Sequence, residues 1–172
     1  MQKPLVGAAL PLLVAFASAQ AQQAQRPPNC QGAPHRQFDF WIGTWDVVNP
    51  AGQPVGMNTI TPELNGCVLH EHWESLGGAH RGNSYNIYDR TSDQWHQSWV
   101  DNGGLLLLLE GKLEGTSMVL RGTTRSAQGQ ETLNRITWTP FTRDSVQQLW
   151  ETSSDGGQTW DVAFDGRYVR RR

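Results

Sequence analysis

Phe38-Asp39-Phe40-Trp41-Ile42-Gly43-Thr44-Trp45-Asp46-Val47-Val48 sets four aromatic rings within eight residues, then runs into β-branched chain. That order reads as a short apolar turn plugging one end of a β-barrel, followed by the first strand. A small barrel closed at one end and open at the other is a container. Downstream, short β-rich or alternating runs are separated by turn chemistry: Asn49-Pro50-Ala51-Gly52, Asn65-Gly66, Gly77-Gly78, Asn102-Gly103-Gly104 and Asp155-Gly156-Gly157. The runs cover residues 44–48, 55–63, 67–75, 83–88, 94–101, 105–113, 118–124, 132–139, 146–152 and 160–167, about ten strands in all. No segment keeps apolar residues at helical spacing for three turns. Short connections without a long crossover favour an antiparallel up-and-down β-barrel over a Greek-key sandwich.

Upstream of the plug, Lys3, an apolar run over residues 5–17 and Ala17-Ser18-Ala19 form an export signal. The run is too short to span a bilayer, and the small-x-small site predicts cleavage after Ala19, with Ala21 as second choice. The expected organisation is a signal peptide over 1–19, a Gln/Ala/Pro-rich flexible arm over 20–36, and one barrel domain over 37–170. The expected address is periplasmic or secreted, with no stable membrane anchor. Loss of Lys3 takes the formal net charge from -2 to -3, which gives no footing for nucleic acid. Arg170-Arg171-Arg172 reads as a solvated tail.

Cys30 and Cys67 make an even count in an oxidising compartment, which favours a disulfide over two separate thiols. Such a bridge, closing a loop of ~36 residues, would stabilise by about 3–4 kcal/mol on the loop-entropy account.

Gly43-Thr44-Trp45 on the first strand, with Arg167 on the last, resembles the lipocalin-type (calycin) signature. In that fold the tryptophan closes the barrel floor and an arginine from the final strand lies across it. The span from Phe38 to Tyr168 also resembles a bacterial domain-of-unknown-function family of exported, lipocalin-like proteins. The matching blocks are Phe38-Asp39-Phe40-Trp41-Ile42-Gly43, Gly66-Cys67-Val68-Leu69, Trp95-His96-Gln97-Ser98-Trp99-Val100-Asp101, and Ser153 to Trp160. The resemblance implies a barrel and small-molecule binding, and no particular activity.

Alternation then assigns strand faces. Trp95, Gln97, Trp99 and Asp101 share one face, and Leu69, Glu71 and Trp73 share another, both expected to point inward. An inward carboxylate needs a partner; Arg135 is the expected one for Glu71, with Glu151 as a further member. This cluster is either a self-satisfied polar core or the polar end of a pocket. An acid/base pair of Glu71 and Asp101 is a third reading. The ligand-binding set is therefore Leu69, Trp73 and Trp99 as apolar lining, with Glu71, Gln97, Asp101 and Arg135 as polar contacts. Gly43, Trp45, Arg167, Cys30 and Cys67 are structural.

His70-x-His72 has a spacing compatible with a metal, yet both imidazoles are expected on the outer face with no supporting partner, so no metal or cofactor is expected. Ser153-Ser154-Asp155-Gly156-Gly157-Gln158-Thr159-Trp160 fits the Asp-box pattern and reads as a structural hairpin. Eight tryptophans are mostly core, with two or three free to line a cavity. Residues 105–109 are five leucines in a row, so their outer face is the expected homodimer or partner surface. The function expected is binding of a small apolar or aromatic ligand. The alternatives are a barrel isomerase or hydrolase using a lumenal carboxylate, and a surface interaction module with a filled barrel.

Overall fold

The structure, a computed structural model, describes residues 30–172. The export signal and most of the arm lie outside the described residues. Ten strands form one closed barrel: β1 (Gly43–Val48), β2 (Pro54–Glu63), β3 (Val68–Ser75), β4 (Arg81–Asp89), β5 (Gln94–Asp101), β6 (Leu106–Glu114), β7 (Ser117–Arg125), β8 (Glu131–Thr142), β9 (Ser145–Ser153) and β10 (Asp161–Arg170). Each strand pairs antiparallel with the next, and β10 returns to pair with β1, giving an up-and-down meander with no free edge. A closed antiparallel barrel of ten strands is consistent with a calycin-like fold.

Register follows from the turns. Ser75 donates its N–H to the carbonyl of His80 across Gly77-Gly78, whose φ values of 81° and 72° suit glycine. Counting back from that turn sets Glu71 opposite Ser84 and Trp73 opposite Gly82. On β3 the inward residues are Leu69, Glu71 and Trp73, and on β5 they are Trp95, Gln97 and Trp99, the faces that alternation assigns.

The plugged end is dense with rings. Phe38 stacks on Trp41 at 5.0 Å and meets Trp138 and Trp95 edge-on at 5.1 and 5.6 Å. The Trp45 indole N–H donates to the Trp41 carbonyl at 2.8 Å, fastening the first strand to the plug. The last arm residues form a 3₁₀ turn, Ala33–Arg36, which sets His35 edge-on to Tyr88 at 5.0 Å. A disulfide joins Cys30 to Cys67 at this same end.

One expectation at this end is corrected. The cation over Trp45 is Arg170, 4.1 Å from the ring, which also donates to the Ile42 carbonyl at 2.9 Å. Arg167 instead lies 5.7 Å from the Phe141 ring. Alternation explains the difference: Gly166 and Tyr168 are buried on β10, so Arg170 shares their face and Arg167 points out. Gly43 gives Arg170 its room. A Cβ there would sit 2.2 Å from the guanidinium, at a φ of 144°.

The Asp-box forms the β9–β10 hairpin loop. Asp155 accepts from the backbone N–H groups of Gln158 and Thr159 and from the Thr159 hydroxyl, while Ser153 Oγ accepts from the Gly157 N–H. The Thr159 hydroxyl, then its N–H and the Ser153 hydroxyl, hold the Asp155 carboxyl well below the usual carboxylate range.

Candidate functional site

Opposite the plug the barrel is hollow. A cavity of about 230 Å³ opens at the end carrying the β3–β4, β5–β6 and β9–β10 loops. Its walls are Trp73, Trp99, Trp150, Phe164, Leu107 and Ile136, its floor is Glu71, Gln97, Gln148 and Tyr168, and Ser75 and His80 stand at the mouth. At roughly 30 Å³ per liquid water, the space suits a molecule of one or two rings.

The floor is a directional hydrogen-bond network. Glu71 Oε1 accepts from the Asn58 amide at 2.7 Å, and Oε2 accepts from the Ser84 hydroxyl at 2.6 Å. Ser84 Oγ in turn accepts from Asn86 at 2.9 Å and from Gln97 at 3.3 Å, and Gln97 also donates to Asn86 Oδ1 at 2.8 Å. Asn58 reaches the Tyr168 hydroxyl at 3.0 Å, and Tyr168 donates to Gln148. Every hydrogen in this chain that reaches Glu71 is donated to it. Burial nonetheless pushes its carboxyl up to about 7, against the hydrogen bonds from Ser84 and Asn58, which favour the charged form. Burial also raises the Tyr168 phenol well above its ordinary value, with the nearby Glu71 charge adding to it.

Of the seven residues expected to contact ligand, Glu71, Trp73, Gln97 and Trp99 line this cavity. Leu69 does not; it is 1 % exposed, packed in the core below the network, with its carbonyl accepting from Asn86 at 3.1 Å. Asp101 stands at the rim. It holds His80 Nε2 at 3.1 Å and accepts the N–H groups of Gly103 and Leu105, so it shapes the mouth rather than the wall. Burial works against its charge, but the bonds from Leu105, His80 and Gly103 outweigh it and keep the carboxyl below its ordinary value.

Arg135 is placed differently from expectation. It pairs with Glu151 at 3.0 Å and lies 4.1 Å over the Trp160 ring. Asn134, Ile136 and Trp138 are the buried residues on β8, so Arg135 belongs to the outer face and cannot reach Glu71. Neutral donors, Asn58 and Ser84, take the place foreseen for it.

Several lining residues escaped the sequence reading: His80, Gln148, Trp150, Phe164 and Tyr168. For Ser84 a signal existed, since the Gly77-Gly78 turn pairs it with Glu71. For Tyr168 and Gln148 there was none short of barrel closure, which pairs β10 with β1 and so brings Tyr168 to Asn58 across 110 residues of chain.

Glycines shape the walls. A Cβ on Gly56 would meet the Trp73 ring at 2.6 Å, one on Gly82 the Trp99 ring at 2.2 Å, and one on Gly166 the Phe164 ring at 2.6 Å. Each ring lies flat in a dent where a neighbouring residue has no side chain.

On the outer face, His70 bonds Glu63 at 3.0 Å and Asn83 at 3.2 Å, and His72 bonds Asn83 at 3.0 Å. Among the described residues no group of three His, Cys, Asp or Glu side chains is arranged to hold a metal ion. No protein-family model matches the chain, and no curated protein matches it either.

Proposed function

We propose that this is an exported protein that binds one small, mainly apolar or aromatic molecule in the open end of the barrel. Trp73 and Trp99 are its apolar contacts and Glu71 and Gln97 its polar ones. The observation that carries the reading is the cavity itself: about 230 Å³, walled by tryptophan, with a few convergent polar groups at its base. The Cys30–Cys67 disulfide supports an oxidising, extracytoplasmic setting, and the calycin-like barrel supports membership of the exported lipocalin-like family that the sequence resembles. Native mass spectrometry of protein purified from the exported fraction should show a stoichiometric small molecule. Trp99→Ala should lose it and Arg135→Ala should keep it. Retention by Trp99→Ala would reject the pocket.

A second reading, an isomerase or hydrolase, is favoured by a carboxyl poised near neutrality inside an apolar cavity. A co-purified molecule that survives long incubation unchanged would count against it. A surface role is favoured by Leu106 and Leu108, 56 % and 57 % exposed on β6 beside Val100. This face would serve a homodimer, and sedimentation of wild type against Leu106→Lys/Leu108→Lys tests it.

A further inference from the structure

Glu71 is a buried carboxyl, 3 % exposed, with no ion-pair partner among the described residues, its nearest cationic influence being His70 on the outer face of β3. Its two hydrogen bonds come from neutral donors, one to each oxygen, so each oxygen keeps a lone pair. A second acceptor on the floor, Gln97 Oε1, receives no hydrogen bond from the described residues, while the Gln97 amide donates to Ser84 and Asn86. Trp73, Trp99 and Trp150 surround the space above. Unpaired negative charge, a spare acceptor and electron-rich ring faces all favour the same ligand chemistry.

We propose that the ligand of this cavity is a small organic cation, a ring or short apolar body bearing an ammonium or amidinium nitrogen, and that this nitrogen supplies the missing counter-charge to Glu71. The inference rests on the container reading above and names its ligand class. The nitrogen sits at the floor between Glu71 and Gln97, and the apolar body fills the space between the tryptophans. An arginine of the protein would fill the space it neutralised; leaving the charge unpaired keeps the hollow open and the specificity with the ligand.

Three probes of one size separate the possibilities by isothermal titration at pH 8: benzylamine, benzyl alcohol and benzoate. Benzylamine should bind at least tenfold tighter than benzyl alcohol, with benzoate showing no saturable binding. Glu71→Gln should abolish the preference for benzylamine over benzyl alcohol. Equal binding of the two in wild type, or a preference that survives Glu71→Gln, overturns the cation while sparing the container. If none of the three binds, the container reading falls and takes the proposal with it.

A second measurement needs no variant. Binding of the cation at pH 7 draws Glu71 to its ionised form, so the heat should depend on buffer ionisation enthalpy with net proton release. Absence of release overturns the proposal. The groups facing Glu71 do not imitate this signal. Asn58, Ser84 and Gln97 do not titrate, the raised Tyr168 phenol stays protonated, and His70 lies on the outer face of β3. His80, at the mouth on Asp101, is the remaining titratable side chain of the lining, so the release should persist in His80→Gln.

Discussion

At the plugged end of the barrel the aromatic side chains face one another; at the open end they face a void. The plug buries Phe38, Trp41, Trp45 and Trp138 completely and leaves the indole N–H groups of Trp41, Trp95 and Trp138 without an acceptor among the described residues. The open end does the reverse. Its rings, Trp73 apart, are only part-covered, while its polar groups are largely matched, with Asn58 Oδ1 and Gln97 Oε1 the exceptions. Unmet donors cost stability, so the plug is held by contact area in spite of its polar atoms. The upper layer is held by polar complementarity in spite of its missing area. Packed rings and open volume are thus separated along the barrel axis.

The sharpest way to break this contrast is Trp138→Ala. It should cost about 3–5 kcal/mol in denaturant unfolding, since the ring is fully buried in the plug. Trp99→Ala, on the cavity wall, should cost much less; equal losses would erase the distinction. Replacing both Cys30 and Cys67 with serine should cost about 3–4 kcal/mol, because the bridge closes a loop of 37 residues that includes the plug. Reduced and oxidised protein compared by urea titration would show it.

At the open end, Glu71→Gln should change the pH dependence of stability. The carboxyl titrates near 4.5 when unfolded and near 7 in the barrel. Below pH 4.5 both states hold the proton and the site costs nothing. Between pH 4.5 and 7 the unfolded chain loses it first, so stability falls, by about 3 kcal/mol in total. The difference between wild type and variant should therefore grow with pH over that window and level off above it. A constant difference would mean that the carboxyl is not held back by burial. The smallest effect sharpens the account of the plug. Arg170→Ala should cost about 1–2 kcal/mol through its contact with Trp45 and its bond to the Ile42 carbonyl, while Arg167→Ala should stay within about 0.5 kcal/mol.

The barrel was legible because it is written in local signals. Turn residues recur between alternating runs, and the aromatic block stands directly before the first strand. The inward set on β3 and β5, including Glu71 and Gln97, follows from a period of two. Errors arose where a face had to be fixed without a landmark. Arg135 and Arg167 each lie one position from a buried residue, Asn134 or Ile136 in one case and Tyr168 in the other, and a one-residue shift reverses the face. Partnership across closure was not legible at all. Nothing near Asn58 announces Tyr168, because only the β1–β10 seam brings them together.

The dents at Gly56, Gly82 and Gly166 carry a consequence for how this molecule can change. Each lies behind a ring, out of reach of anything bound, yet each sets how far that ring stands back from the axis. A single methyl group at Gly82 would lever the Trp99 indole inward and narrow the hollow without altering one chemical group that a guest can touch. Capacity and chemistry can therefore change separately, and a substitution at one of these glycines would alter the volume of the hollow while leaving its polar floor intact.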